Sequence, residues 1–143
     1  MPEIGGLRID QYEAIIELWV QAGLEYKPKG RDTREHMRQE MQDNPDMFLG
    51  LFEEDRMIGT VVGTYDGRRG WINRLGIHPE FRGRGLGKLL INEIEGRLRA
   101  RGARIIAVLV YEDNEPSLEV FKRSGYRVFE GVKYLTKRDG PEV

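Results

Sequence analysis

The stretch from Trp71 to Tyr111 limits what this chain can fold into more than any other. Trp71–His78 is rich in strand-forming residues and stops at Pro79. Gly85–Arg101 carries Leu86, Leu89, Leu90, Ile94 and Leu98 at helical spacing, and Gly102 stands where such a helix would end. Arg104–Tyr111 holds the run Ile105-Ile106-Ala107-Val108-Leu109-Val110, which predicts a strand buried on both faces. Strand, helix and buried strand within about 40 residues make a βαβ unit, so the two strands run parallel.

The rest of the chain reads as strands and helices around that unit. Leu7–Ile9 predicts a short strand. Asp10 with Glu13 is a capping-box pattern that opens a helix bearing Ile15, Leu18, Trp19 and Ala22 on one stripe, with Gly23 as its stop. Tyr26–Arg31, basic and broken by Pro28 and Gly30, reads as a loop. Asp32 opens a second helix with Met37 and Met41 on one face, ended by Asn44-Pro45. Met47–Glu53 and Met57–Tyr65 flank Glu54-Asp55-Arg56 as a hairpin, and Asp66-Gly67 turns the chain into Trp71–His78. Asn114–Ser124 predicts a short helix stopped by Gly125. Tyr126–Phe129 and Val132–Thr136 predict a final hairpin around Glu130-Gly131. The expected fold is α/β in the α+β sense: a mixed, mostly antiparallel, twisted sheet of about seven strands with four helices.

At 143 residues the chain is one domain, 1–143, with a core over about 7–137. Its 23 Lys+Arg against 24 Asp+Glu leave a net charge of −1, which gives no support for binding nucleic acid or an acidic membrane. Cysteine is absent, so disulfides, thiolate metal sites and cysteine nucleophiles are excluded. His36 and His78 are the only histidines, so no metal is expected. There is no leader pattern at Met1–Leu7 and no long apolar stretch, which points to a soluble cytoplasmic protein.

The turn inside the βαβ unit carries the chemistry. Gly83, Gly85 and Gly87 alternate with Arg84 and Leu86, between Arg82 and Lys88. Alternating glycines let the backbone turn with its N–H groups inward, and the following helix adds unpaired N–H groups and the positive end of its dipole. With three cations added, the segment favours a phosphate or pyrophosphate. A P-loop in this register would need glycine at 82 and serine or threonine at 89, where Arg82 and Leu89 stand. The G-x-G-x-x-G fingerprint would need glycine at 88 or 90, where Lys88 and Leu90 stand, although Glu112 lies near its expected acidic position. A nucleotide-binding protein therefore stays as an alternative.

Arg82-x-x-Gly85-x-Gly87 resembles the acyl-CoA signature of the GNAT superfamily of N-acetyltransferases, Gln/Arg-x-x-Gly-x-Gly/Ala, which lies between that family's fourth strand and third helix. Ile77-His78-Pro79-Glu80-Phe81-Arg82-Gly83 is similar to the segment that leads into it. Asn114-x-x-Ser117-x-x-x-Phe121-x-x-x-Gly125-Tyr126 resembles the family's second motif. Gly59-Thr60-Val61 through Tyr65-Asp66-Gly67-x-Arg69-Gly70 looks like a branch of small bacterial single-domain members. The resemblance implies acetyl-CoA as cosubstrate. Backbone groups of Leu75, Gly76 and Ile77 would pair with the pantetheine arm where the fourth and fifth strands splay apart. Amides of Arg82, Gly83, Arg84, Gly85, Leu86 and Gly87, with Lys88, would hold the pyrophosphate. Asn114, Ser117 and Phe121 would lie by the thioester, and the Ile77 N–H would be the oxyanion donor. Dimers are common in the family, so a homodimer is a further expectation.

Acetyl transfer needs a neutral amine, an oxyanion donor and a proton for the leaving thiolate. The chain departs from the family at the usual proton carriers: Phe121 replaces the general-acid tyrosine, and Leu109 and Trp71 stand where members carry a glutamate. Asn73, Tyr111 and Tyr65 are the candidate substitutes. Asp66, Tyr126 and His78 have ordinary structural readings as a turn, a packed aromatic and a strand-end polar residue. The acceptor site is expected at Tyr26–Thr33, the hairpin tips and Val132–Tyr134. The leading function is acetyl transfer to a primary amine of a small molecule or a peptide N-terminus. A non-catalytic acyl-CoA sensor is the alternative that Phe121 and Leu109 motivate.

Overall fold

The structure is a computed structural model and describes residues 2–143. Its elements run β1 (Glu3–Gly6), α1 (Tyr12–Ala22), α2 (Arg34–Asp43), β2 (Phe48–Glu53), β3 (Arg56–Tyr65), β4 (Arg69–Ile77), α3 (Leu86–Arg101), β5 (Ile105–Val108) and α4 (Glu115–Arg123), with single 3₁₀ turns at Ile9–Gln11 and Pro79–Phe81. One sheet holds the strands in the order β1-β2-β3-β4-β5. The first four are antiparallel neighbours, and β5 runs parallel to β4. The expected βαβ unit is therefore β4-α3-β5.

Apolar periodicity decides the layers. Leu90, Ile91, Ile94 and Leu98 of α3 pack with Met47, Leu49, Leu51, Ile58, Val61 and Ile72 on one face of the sheet. Ile15 and Trp19 of α1 and Met37 and Met41 of α2 pack with Leu7, Phe48 and Val62 on the other. Gly63 lets α3 approach β3: a Cβ there would stand 2.9 Å from Ile94 Cδ1. Among the described residues no helix is long and apolar enough to cross a membrane.

Several boundaries differ from the sequence reading. The first strand is Glu3–Gly6 rather than Leu7–Ile9; the Gln11 side chain accepts from Arg8 N at 2.8 Å, so the turn into α1 begins earlier than Asp10. Thr33, not Asp32, caps α2, its hydroxyl accepting from His36 N at 3.1 Å. The strand β5 is shorter than expected and is not buried on both faces. Only β4 pairs with it, and Ile105 is 54% exposed. The final hairpin does not form: Glu130-Gly131 turns as expected, with Gly131 at φ 83°, but its arms make no ladder. The sheet accordingly has five strands, not seven, while the α/β class, the order of elements along the chain and four α-helices hold. β5 is exposed because, among the described residues, no strand pairs with its outer edge.

Candidate active site

The cleft begins where β4 and β5 part. They pair only from Arg69–Ile72 against Ile105–Val108. Beyond that, β4 continues to Ile77 with a free edge. His78 N donates to Ile58 O at 2.8 Å, so alternation turns the N–H groups of Leu75 and Ile77 away from β3 and into the opening. Past the strand, Gly83 (φ 81°) and Gly85 (φ 76°) take left-handed conformations that place Leu86 at the start of α3. Among the described residues the amides of 83–88 have no backbone acceptor, which leaves a row of free donors. This is the donor set a pyrophosphate requires. Arg84 lies over the Phe81 ring at 5.0 Å, and Lys88 is exposed. The Arg82 side chain turns away from this row. Its guanidinium donates to Ile77 O at 3.2 Å and Ala22 O at 3.1 Å, tying α1 to the end of β4.

A cavity of about 690 Å³ opens from the parted strands. Leu75, Asn114, Ser117 and Phe121 line it together with Asn73, Tyr111, Glu25, Arg31, Asp32 and Glu40. Asn114 caps α4, its Oδ1 accepting from Ser117 N at 3.3 Å. Phe121 is buried, edge-on to Tyr126 at 5.2 Å. The Asn73 amide donates to Thr64 Oγ1 at 3.4 Å. Tyr111 donates its hydroxyl proton to Glu25 Oε2 at 2.5 Å. That bond, helped by Lys27, holds the Glu25 carboxyl below its usual range and pushes the Tyr111 phenol up. Burial raises Glu40, against the pull of the nearby His36.

The remaining candidates lie elsewhere. Tyr65 does not line the cavity; its hydroxyl lies against Gly102, at the far end of the sheet. Asp66 accepts from Arg68 N, Arg69 N and Trp71 Nε1 at 2.8, 2.7 and 3.2 Å, which lowers its carboxyl to about 2 and closes the β3–β4 turn. Tyr126 donates to Glu95 at 2.6 Å, and burial drives its phenol far above the ordinary value. His78 is buried and accepts from Glu80 N at 3.1 Å. Arg31 and Asp32, within the expected segment Tyr26–Thr33, and Tyr134, within Val132–Tyr134, line the cavity, although Asp32 was also read as a helix start. The sequence reading missed Arg74, Glu25, Glu40 and Arg138, all of which line it too. Their residue types carry no local signal; a non-glycine residue at φ 55°, as at Arg74, is visible only in the backbone.

Comparison with known proteins agrees with this geometry. The model of the acetyltransferase (GNAT) family matches residues 12–126. An acetyltransferase of Pectobacterium atrosepticum is 36% identical over 130 residues, 91% of each chain. The fold is shared with the PaiA N-acetyltransferase of Thermoplasma acidophilum, solved in complex with coenzyme A (TM-score 0.76, 24% identity, 92% of this chain and 93% of that one). It is shared as well with the aminoglycoside N-acetyltransferase AAC(6')-Iy, solved with a bisubstrate analogue (TM-score 0.77, 18% identity, 96% and 99%). An open β4 edge, a row of free amides at the start of α3 and a family match spanning both motifs lead to one conclusion: this chain belongs to the GNAT family, an acetyltransferase with acetyl-CoA as its cosubstrate.

Proposed function

We propose that this protein transfers the acetyl group of acetyl-CoA to a primary amine, on a small molecule or at a peptide N-terminus, by direct attack in a ternary complex. The observation that carries the reading is that one cavity is lined both by Leu75, Asn114, Ser117 and Phe121, the candidate cofactor contacts, and by Glu25, Asn73, Tyr111 and Glu40. The free amides of 83–88 hold the pyrophosphate, and the open edge at Leu75, Gly76 and Ile77 takes the pantetheine arm. The Ile77 N–H, aimed into the opening, stabilises the charge that develops on the acetyl oxygen. Glu40 takes the amine proton; a carboxyl raised by burial is a better base near neutral pH than an ordinary one. Tyr111 returns a proton to the leaving thiolate once its hydroxyl turns from Glu25, the role that Phe121 cannot fill. Asn73 positions the acceptor.

The chain has no cysteine, so a thiol reagent reads only released coenzyme A. Incubation with acetyl-CoA and a panel of primary amines and dipeptides should release thiol for at least one class. Tight coenzyme A binding without release across the panel would instead favour an acyl-CoA sensor. Tight NAD or ATP binding with none for coenzyme A would favour a nucleotide-binding protein. Association of two copies belongs to the same reading. The open outer edge of β5 and the exposed Val128, Phe129, Val132, Tyr134 and Leu135 support it. Sedimentation equilibrium showing only monomer would remove it.

A further inference from the structure

We propose that Arg74 is a positioning residue for the acceptor: it latches loop 24–33 across the mouth of the cavity through Asp32 and the Glu25 carbonyl. The inference rests on the acetyl-transfer reading of this cavity and deepens it.

Arg74 sits inside β4 with φ 55°, a conformation that residues bearing a Cβ rarely adopt and that persists where the surroundings over-determine it. Here they do. Thr60 Oγ1 donates to Arg74 O at 2.9 Å and accepts from Trp19 Nε1 at 3.0 Å. The pairing of β3 with β4 shifts register at this point. The kink turns the guanidinium out of the strand and over the Trp19 ring at 4.6 Å. From there Nη2 donates to Asp32 Oδ2 at 2.6 Å, and Nη1 donates to Glu25 O. The two side chains are only 17% and 7% exposed, so water screens the pair little.

Asp32 in turn shapes the loop. Its Oδ2 accepts from Lys27 N at 2.6 Å, and its carbonyl accepts the Tyr12 hydroxyl at 2.6 Å. Glu25, in the same loop, is the residue that receives the Tyr111 hydroxyl from beyond β5. One guanidinium thus joins the kinked strand to the loop, and the loop to the tyrosine on the far side of the opening. Its donors toward the loop are engaged by protein acceptors, so Arg74 acts through the loop rather than by touching the acceptor. A lysine cannot replace it, because a single ammonium lacks the planar fork and the stacking face.

Three variants test this. Arg74→Gly suits the left-handed backbone while deleting the latch. Arg74→Lys keeps the charge, and Asp32→Asn keeps the shape and an acceptor for Lys27 N while weakening the pair. For each we would measure coenzyme A affinity by calorimetry, amide hydrogen exchange over 24–33, and KM and kcat for the amine that turns over best with the parent protein. The expected result is coenzyme A affinity within about twofold, faster exchange confined to 24–33, and an amine KM raised about 10- to 100-fold with a smaller fall in kcat. Asp32→Asn should share the direction of all three changes. If Asp32→Asn leaves KM untouched while the Arg74 variants raise it, Arg74 contacts the acceptor itself and the latch is wrong. Unchanged exchange over 24–33 in every variant overturns it as well. If the parent neither binds coenzyme A nor turns over any amine, the acetyl-transfer reading fails on its own, and exchange alone still decides whether the latch exists.

Discussion

Two carboxylates show how surroundings divide labour between similar groups. Asp66, at the surface, is surrounded by donors and lowered to about 2. Its native pKa lies below that of the unfolded chain, so its contribution to stability is complete above about 4 and disappears as pH falls toward 2. The difference in Tm between the parent and Asp66→Ala should therefore be constant near neutrality and shrink through that window. Glu40 is shifted the other way, by burial. In the proposed role of base it works only when ionised, so turnover should rise with pH through its raised pKa. Glu40→Gln should remove that limb and lower kcat/KM about 10²-fold, leaving only the ionisation of the amine. A pH profile identical to that of the parent would take Glu40 out of the mechanism. Tyr111→Phe should lower kcat by about 10²-fold with coenzyme A affinity unchanged. Of these two proposed proton carriers only Tyr111 was legible as a candidate in the sequence. Glu40 becomes one because α2 packs it over the cavity.

At the scale of elements, the β4-α3-β5 unit offers the proposed cofactor site through geometry rather than side chains. Gly85 caps α3 from a left-handed conformation. Gly85→Ala should cost about 1–2 kcal/mol, read as a lower Tm, and should weaken coenzyme A binding by displacing the amides that follow. Unchanged affinity would mean that the amides of 83–88 are not the phosphate site. This unit was readable from the sequence because its signals are local: glycines at alternate positions, an apolar stripe at helical spacing, a run of β-branched residues. The exposure of β5 was not. An apolar run signals a strand, but whether one neighbour or two flank it depends on residues 126–136, which form no ladder here.

For the whole molecule, the sheet is the wall between two cores, one under α3 and one under α1 and α2. Ile94 is fully buried in the first of these and touches the strip left clear by Gly63. Ile94→Ala should cost about 2–5 kcal/mol and lower Tm by roughly 5–20 °C, with little change in the amine KM because the cavity lies at the opening of β4 and β5. A large KM change at near-normal Tm would show that the α3 core and the acceptor side are coupled. The α/β class, the order of the main elements and the glycine turn that offers free amides were all legible in the bare chain. Each of those follows from chemistry between residues close along the chain. The proposed acceptor side was set by long-range packing, where Arg74 meets Asp32 across 42 residues and Tyr111 meets Glu25 across 86. Such partners are chosen by how helices and strands pack, and no local pattern records that choice.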